Sequence, residues 1–94
     1  MYTYINSPYW RKMHPHPIIL ELRFYDLMHS ENASDDALRF IEDAILNVLE
    51  NNPGFPRQIP VLEVNITDKN GDRHRCTLQY KVVGHMGGLC LSLI

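Results

Sequence analysis

Ser34-Asp35-Asp36-Ala37-Leu38-Arg39-Phe40-Ile41-Glu42-Asp43-Ala44-Ile45-Leu46-Asn47-Val48-Leu49-Glu50-Asn51-Asn52-Pro53-Gly54 is the stretch whose reading decides the fold. Leu38, Ile41, Ile45, Val48 and Leu49 recur at helical spacing, supported by Ala37 and Ala44. Asp36, Arg39, Glu42, Asp43, Asn47 and Glu50 take the opposite face. Ser34 stands where an N-cap belongs, with Asp35 and Asp36 in the first turn, where the helix dipole favours negative charge. Pro53 disfavours helical geometry in the residue before it, so Asn51-Asn52-Pro53-Gly54 ends the helix. A helix with one apolar stripe needs a surface to bury it against, and the flanking segments read as strands.

Upstream, Ile18, Leu20, Leu22 and Phe24 alternate with Ile19, Glu21, Arg23 and Tyr25, the period of a strand with one buried face. A polar stretch from His29 to Ser34 then leads into the helix. Downstream, Leu62, Val64 and Ile66 share one face of a strand over Val61 to Thr67. After the turn Asp68-Lys69-Asn70-Gly71-Asp72, a second strand runs from Arg73 to Val83. His74, Cys76, Leu78, Tyr80 and Val82 lie on one of its faces; Arg73, Arg75, Thr77, Gln79 and Lys81 lie on the other.

The hairpin register follows from matching these faces. A two-residue Asn70-Gly71 turn would set Val64 opposite Thr77 and Leu62 opposite Gln79. A three-residue loop, Lys69-Asn70-Gly71 with the glycine left-handed, opposes Ile66 to His74, Val64 to Cys76 and Leu62 to Leu78, and is favoured. Gly84-His85-Met86-Gly87-Gly88 reads as a flexible connection. Leu89, Leu91 and Leu93, alternating with Cys90 and Ser92, form a terminal strand.

The expected fold is α+β: a single helix packed on a mostly antiparallel four-stranded sheet in the order β-α-β-β-β. Residues 18–94 form this domain. Residues 1–17 read as an extended, aromatic and proline-rich N-terminal arm, because Pro8, Pro15 and Pro17 oppose a helix. Tyr2 to Ile5 could add a short strand within the arm.

Composition narrows the function classes. The 94 residues, 45% apolar and 21% charged, make one globular domain near the lower size limit for an independent core, where self-association is a natural supplement. A formal charge of -2 gives no global case for a nucleic-acid or membrane partner. No apolar run is long enough to cross a bilayer, and the N-terminus lacks the pattern of a signal peptide. Cys76 is expected to face the core and Cys90 the other side, so they are poorly placed to pair. Two such cysteines fit a reducing compartment, and the expected location is cytoplasmic. The patterns Asn32-Ala33-Ser34 and Asn65-Ile66-Thr67 are then chance matches to a glycosylation signal.

Catalytic chemistry finds little support. The five histidines show no ligand spacing for zinc, so His14 and His16 read as solvated, His74 as a core-edge residue and His85 as a turn residue; no metal or cofactor is expected. Cys90 with His85, or Cys76 with His74, lacks a third group to orient the base. The carboxylates Asp35-Asp36 and Glu42-Asp43 fall on the solvated helix face, outside any cleft. No glycine loop opens a helix to cradle phosphate.

Charge distribution says more. Tyr9, Trp10, Arg11 and Lys12 in the arm, with Arg23, Tyr25, Arg73, Arg75 and Lys81 on the polar sheet face, form the expected partner-binding surface. Glu21 and Glu63 dilute it, and Arg75 has Glu63 within reach across the hairpin. Leu46 stands on the polar side of the helix without an evident partner. Leu89, Leu91 and Leu93, if their strand lies at a sheet edge, would pair with a second copy as a dimer interface. The expected function is a small non-enzymatic protein-binding module, an inhibitor, adaptor or assembly factor that forms a homodimer. The alternative is a single-stranded nucleic-acid-binding protein that stacks bases on the arm and sheet aromatics and holds phosphates with the basic residues.

Overall fold

A computed structural model of the chain describes residues 2–5, 7–21, 35–67 and 71–94, with the side chains of the long helix described from Arg39 onward. Its elements are β1 (Tyr2–Ile5), α1 (Pro8–Met13), β2 (Ile18–Glu21), α2 (Asp35–Asn51), β3 (Val61–Thr67), β4 (Arg73–Val83) and β5 (Met86–Leu93). The α+β class stands. The sheet, however, has five strands among the described residues, in the order β1-β2-β5-β4-β3, and it is mixed: β2 and β5 run parallel, while the other neighbours are antiparallel. Ser34 and the second half of the strand expected from Ile18 lie outside the described residues, as do Arg23 and Tyr25.

The terminal strand is not an edge. β5 is the middle strand, with Leu91 facing Leu20 on one side and Leu78 on the other. Leu89 and Leu91 are buried in the core and Leu93 is half-buried against it. The edge argument for a Leu89, Leu91, Leu93 dimer interface is therefore corrected. A run that is buried on both faces, here Leu89 to Ser92, is the mark of an interior strand. Ile18, Ile19 and Leu20 in β2 carry the same mark.

The N-terminal residues are not an extended arm. β1 pairs with β2 along Tyr2↔Glu21 to Ile5↔Ile18. Ser7 then caps α1, its Oγ accepting from the Trp10 backbone N–H at 3.1 Å. Pro8 falls in the first turn, where a missing N–H costs nothing, so this proline starts a helix rather than breaking one. Trp10 has 0% of its surface exposed; it packs in the cluster of Ile18, Leu20, Ile41 and Ile45, and its Nε1 donates to the His16 carbonyl at 2.7 Å.

The docking of α1 changes the reading of α2. Glu42, expected in solvent, is only 1% exposed; Ser7 Oγ donates to its carboxylate at 2.6 Å and Arg39 Nε lies 3.9 Å away. Leu46 is partly buried against the core, whereas Phe40 on the same helix is exposed.

The β3–β4 register is the expected one, with Ile66↔His74, Val64↔Cys76 and Leu62↔Leu78. Gly71 has φ +87°, as a left-handed loop position requires; residues 68–70 lie outside the described residues. The β4–β5 connection is tighter than expected. Val83 pairs with Met86 across a two-residue Gly84-His85 turn, and Met86, Gly87 and Gly88 already belong to β5. A Cβ at Gly88 would come within 2.6 Å of the Pro17 carbonyl oxygen and 2.9 Å of Ile19, so only glycine fits there.

Candidate binding cleft

The six-residue α1 ends at His14, whose backbone N–H bonds to the Trp10 carbonyl at 2.8 Å. Pro15 and Pro17 prevent the helix from continuing, and the link turns into β2 with the Leu89 N–H bonded to the Pro17 carbonyl at 2.9 Å. At the far end of α2, Asn52, Pro53 and Gly54 stop the helix and the chain loops back through Phe55, Pro56 and Arg57. The Phe55–Pro56 peptide bond is cis.

These two connections face each other over the start of β5 and the end of β4. Between them lies a cleft of about 310 Å³. His14 and His16 line one side, and Phe55, Pro56 and Arg57 the other. Leu49, Leu89 and Tyr80 complete it. A second hollow, about 430 Å³, is lined among the described residues by the consecutive Pro53 to Gln58.

The cleft's aromatic wall is ordered by successive contacts. Trp10 and His14 have ring centroids 5.4 Å apart, His14 and His16 5.7 Å, and His16 meets Tyr80 edge-on at 5.1 Å. Tyr80 leans over Gly87, where any Cβ would overlap its hydroxyl. His14 Nδ1 accepts from the His16 backbone N–H at 3.1 Å. The same Nδ1 lies 3.3 Å from the His16 carbonyl oxygen, and burial lowers the His14 pKa below its ordinary 6.5, which favours the uncharged ring at neutral pH. Arg57 is exposed and pairs with no acid among the described residues. The arrangement offers one cation, Arg57, beside an apolar and aromatic surface, which suits an amphipathic ligand.

The surface expected from the sequence is not one surface. Trp10 is in the core and unavailable for stacking. Tyr9 is committed to α2: its hydroxyl donates to Asp43 at 2.7 Å, and the Arg39 guanidinium sits 3.8 Å over its ring. That hydrogen bond to a carboxylate raises the Tyr9 pKa. Arg11 and Lys12 are exposed in the last turn of α1, on the helix side of the sheet. Arg73 and Arg75 are exposed and Lys81 half-buried on the opposite side, with Arg75 engaged by Glu63. The sheet separates the two basic groups.

Cys76 and Cys90 are buried, unpaired and on opposite faces, and burial pushes the Cys76 thiol up to about 11. Among the described residues, no three histidine, cysteine or acidic side chains converge to hold a metal, and no helix is long and apolar enough to cross a membrane.

Sequence reasoning missed Arg57, Phe55, Leu49 and Tyr80 as parts of a site. The histidines were visible but read as solvated, because nothing local places them opposite the loop after α2. Compared with known proteins, the chain matches no family model, no curated protein and no solved structure.

Proposed function

We propose that this chain is a non-enzymatic protein-binding module that works in the cytoplasm and uses the cleft as the centre of its contact surface. The observation that carries the reading is the exposure of large apolar side chains on the segments that line the cleft. Met13 precedes His14, Ile59 follows the Phe55–Arg57 loop, and Tyr80 and Val82 extend the β4 wall; all four are exposed, Val82 by 67%. Apolar and aromatic groups grouped around a concavity are what a protein interface anchors on. Two thiols on opposite faces, unable to pair, agree with a reducing compartment.

The test is selection of a displayed random-peptide library on the immobilised protein, followed by affinity measurements on Val82→Asp and Ile59→Asp. Both positions are exposed, so the variants are expected to fold. The reading requires enriched peptides that lose at least tenfold in affinity to these variants. Absence of enrichment, or peptides indifferent to both substitutions, would remove it.

Self-association belongs to the same proposal, with the contact moved from β5 to β3. Along its seven residues β3 has no strand on its outer side among the described residues. A light-scattering mass of a single chain at high concentration would exclude it.

A further inference from the structure

The cleft carries a specific chemistry beyond its apolar rim. Its volume of about 310 Å³ is at the bottom of the range for small-molecule sites, roughly 300–1,000 Å³, and holds little more than one large side chain with its backbone. Leu49, Phe55 and Leu89 give that side chain an apolar bed. Arg57 lines the same cleft with no acid partner among the described residues. His14, on the opposite wall, keeps its Nδ1 on the His16 backbone, 3.1 Å from the N–H and 3.3 Å from the carbonyl oxygen. A planar guanidinium recognises a carboxylate, and an apolar bed beside it recognises what that carboxylate is attached to.

We propose that the cleft receives the C-terminal residue of a partner protein, its free carboxylate on Arg57 and its apolar side chain over Leu49, Phe55 and Leu89. The inference rests on the protein-binding reading and names what that reading leaves open. An internal segment offers no carboxylate at the backbone, and an acidic side chain would bring its charge without an apolar group to fill the bed. The terminal residue of a chain supplies both on one residue.

Heptapeptides ending in Leu, Ile, Phe or Lys, each made as the free acid and as the C-terminal amide, test this by calorimetric titration into the full chain. Free acids with apolar ends should bind, and amidation should weaken them at least tenfold. Lysine at the end should weaken binding to a similar degree. Arg57→Gln, an exposed substitution whose folding is checked by circular dichroism, should bring the free acids down to the amides while leaving the amides unchanged.

Equal affinity of acid and amide would overturn the proposal. So would failure of every heptapeptide to bind, or N-acetyl-leucine binding as tightly as the Leu-ended heptapeptide, which would assign the cleft to a small carboxylic acid. Peptides that bind in either form and are lost on Val82→Asp would overturn this inference alone and leave the protein-binding reading standing.

Discussion

The β3–β4 hairpin and the β1–α1 segment sit at opposite edges of one sheet, and each holds an acid by a partner from another element. In the hairpin, Arg75 on β4 holds Glu63 on β3, with side chains 68% and 57% exposed. In the N-terminal segment, Ser7 ahead of α1 holds Glu42 on α2, and Glu42 is 1% exposed. The hairpin is fastened by a continuous backbone ladder from Val61↔Gln79 to Thr67↔Arg73. The N-terminal segment has four ladder pairs and otherwise depends on side chains reaching α2 and the core. Burial, more than the kind of contact, decides what each link is worth.

The largest expected effect comes from Trp10. Trp10→Ala removes a wholly buried aromatic and the hydrogen bond to the His16 carbonyl. Such truncations cost about 3–5 kcal/mol, a large share of the roughly 5–15 kcal/mol available to a domain. Urea unfolding should show a much lower midpoint, or a chain unfolded without denaturant. A loss below about 1 kcal/mol would mean that α1 is not docked as described. By contrast Tyr9→Ala, one residue earlier, gives up an exposed hydrogen bond and a cation–π contact, both screened by solvent, and should lower the urea midpoint far less than Trp10→Ala.

Ser7→Ala comes next. It deletes the helix cap, worth about 1 kcal/mol, and takes a hydrogen bond from a buried carboxylate, worth about 1.5–3 kcal/mol. The combined loss should fall near 2–4 kcal/mol, since the two roles use one hydroxyl. Pairing it with Glu42→Leu sharpens the comparison. In that background Ser7→Ala should cost only the cap, and an unchanged cost would show that Ser7 and Glu42 are not coupled.

These two residues also show where the sequence was legible. The α2 stripe and the β3–β4 register could be read directly, because helical period and face matching are local, and Gly71 marks the loop. Trp10 and Glu42 could not. Ser7-Pro8-Tyr9-Trp10 is a capped helix start, but three prolines in seventeen residues outweigh so short a signal. With residues 1–17 read as an arm, nothing in the sequence covers Glu42, which then falls in solvent. β5 was misplaced for a related reason: an alternation of leucines with cysteine and serine looks half-buried, although small side chains fit equally well on a second buried face. The cleft was out of reach because its two walls are loops about 40 residues apart in sequence, brought together only by the docking of α1.

A smaller effect distinguishes the regions by pH. The folded His14 pKa lies below 6.5, so between those two values the unfolded chain binds the proton more readily. Stability from this group is complete above pH 6.5 and falls as the pH drops toward the folded pKa. His14→Gln should flatten the decline measured by urea unfolding between pH 7 and pH 5, while leaving stability at pH 7.5 nearly unchanged. An identical slope in the variant would show that His14 is solvated, as its position in a polar, proline-rich stretch suggests.

The smallest effect belongs to the hairpin's ion pair. Arg75 and Glu63 lie diagonally across the β3–β4 ladder, each with more than half of its side chain in water. Their attraction is screened by solvent and salt, and holding two long side chains together costs rotamer entropy, so exposed pairs contribute about 0–1 kcal/mol. Arg75→Ala also leaves Thr77, Gln79 and the ladder in place, and Glu63 can be fully hydrated where it stands. The expected change is below about 0.5 kcal/mol, shrinking further in 0.5 M salt. A loss approaching that of Ser7→Ala would mean that the pair is shielded from water in solution, and the first cause to examine would be a second copy of the chain added along β3. The salt dependence separates these cases, because a pair covered by another chain keeps its worth as ionic strength rises and an exposed one does not.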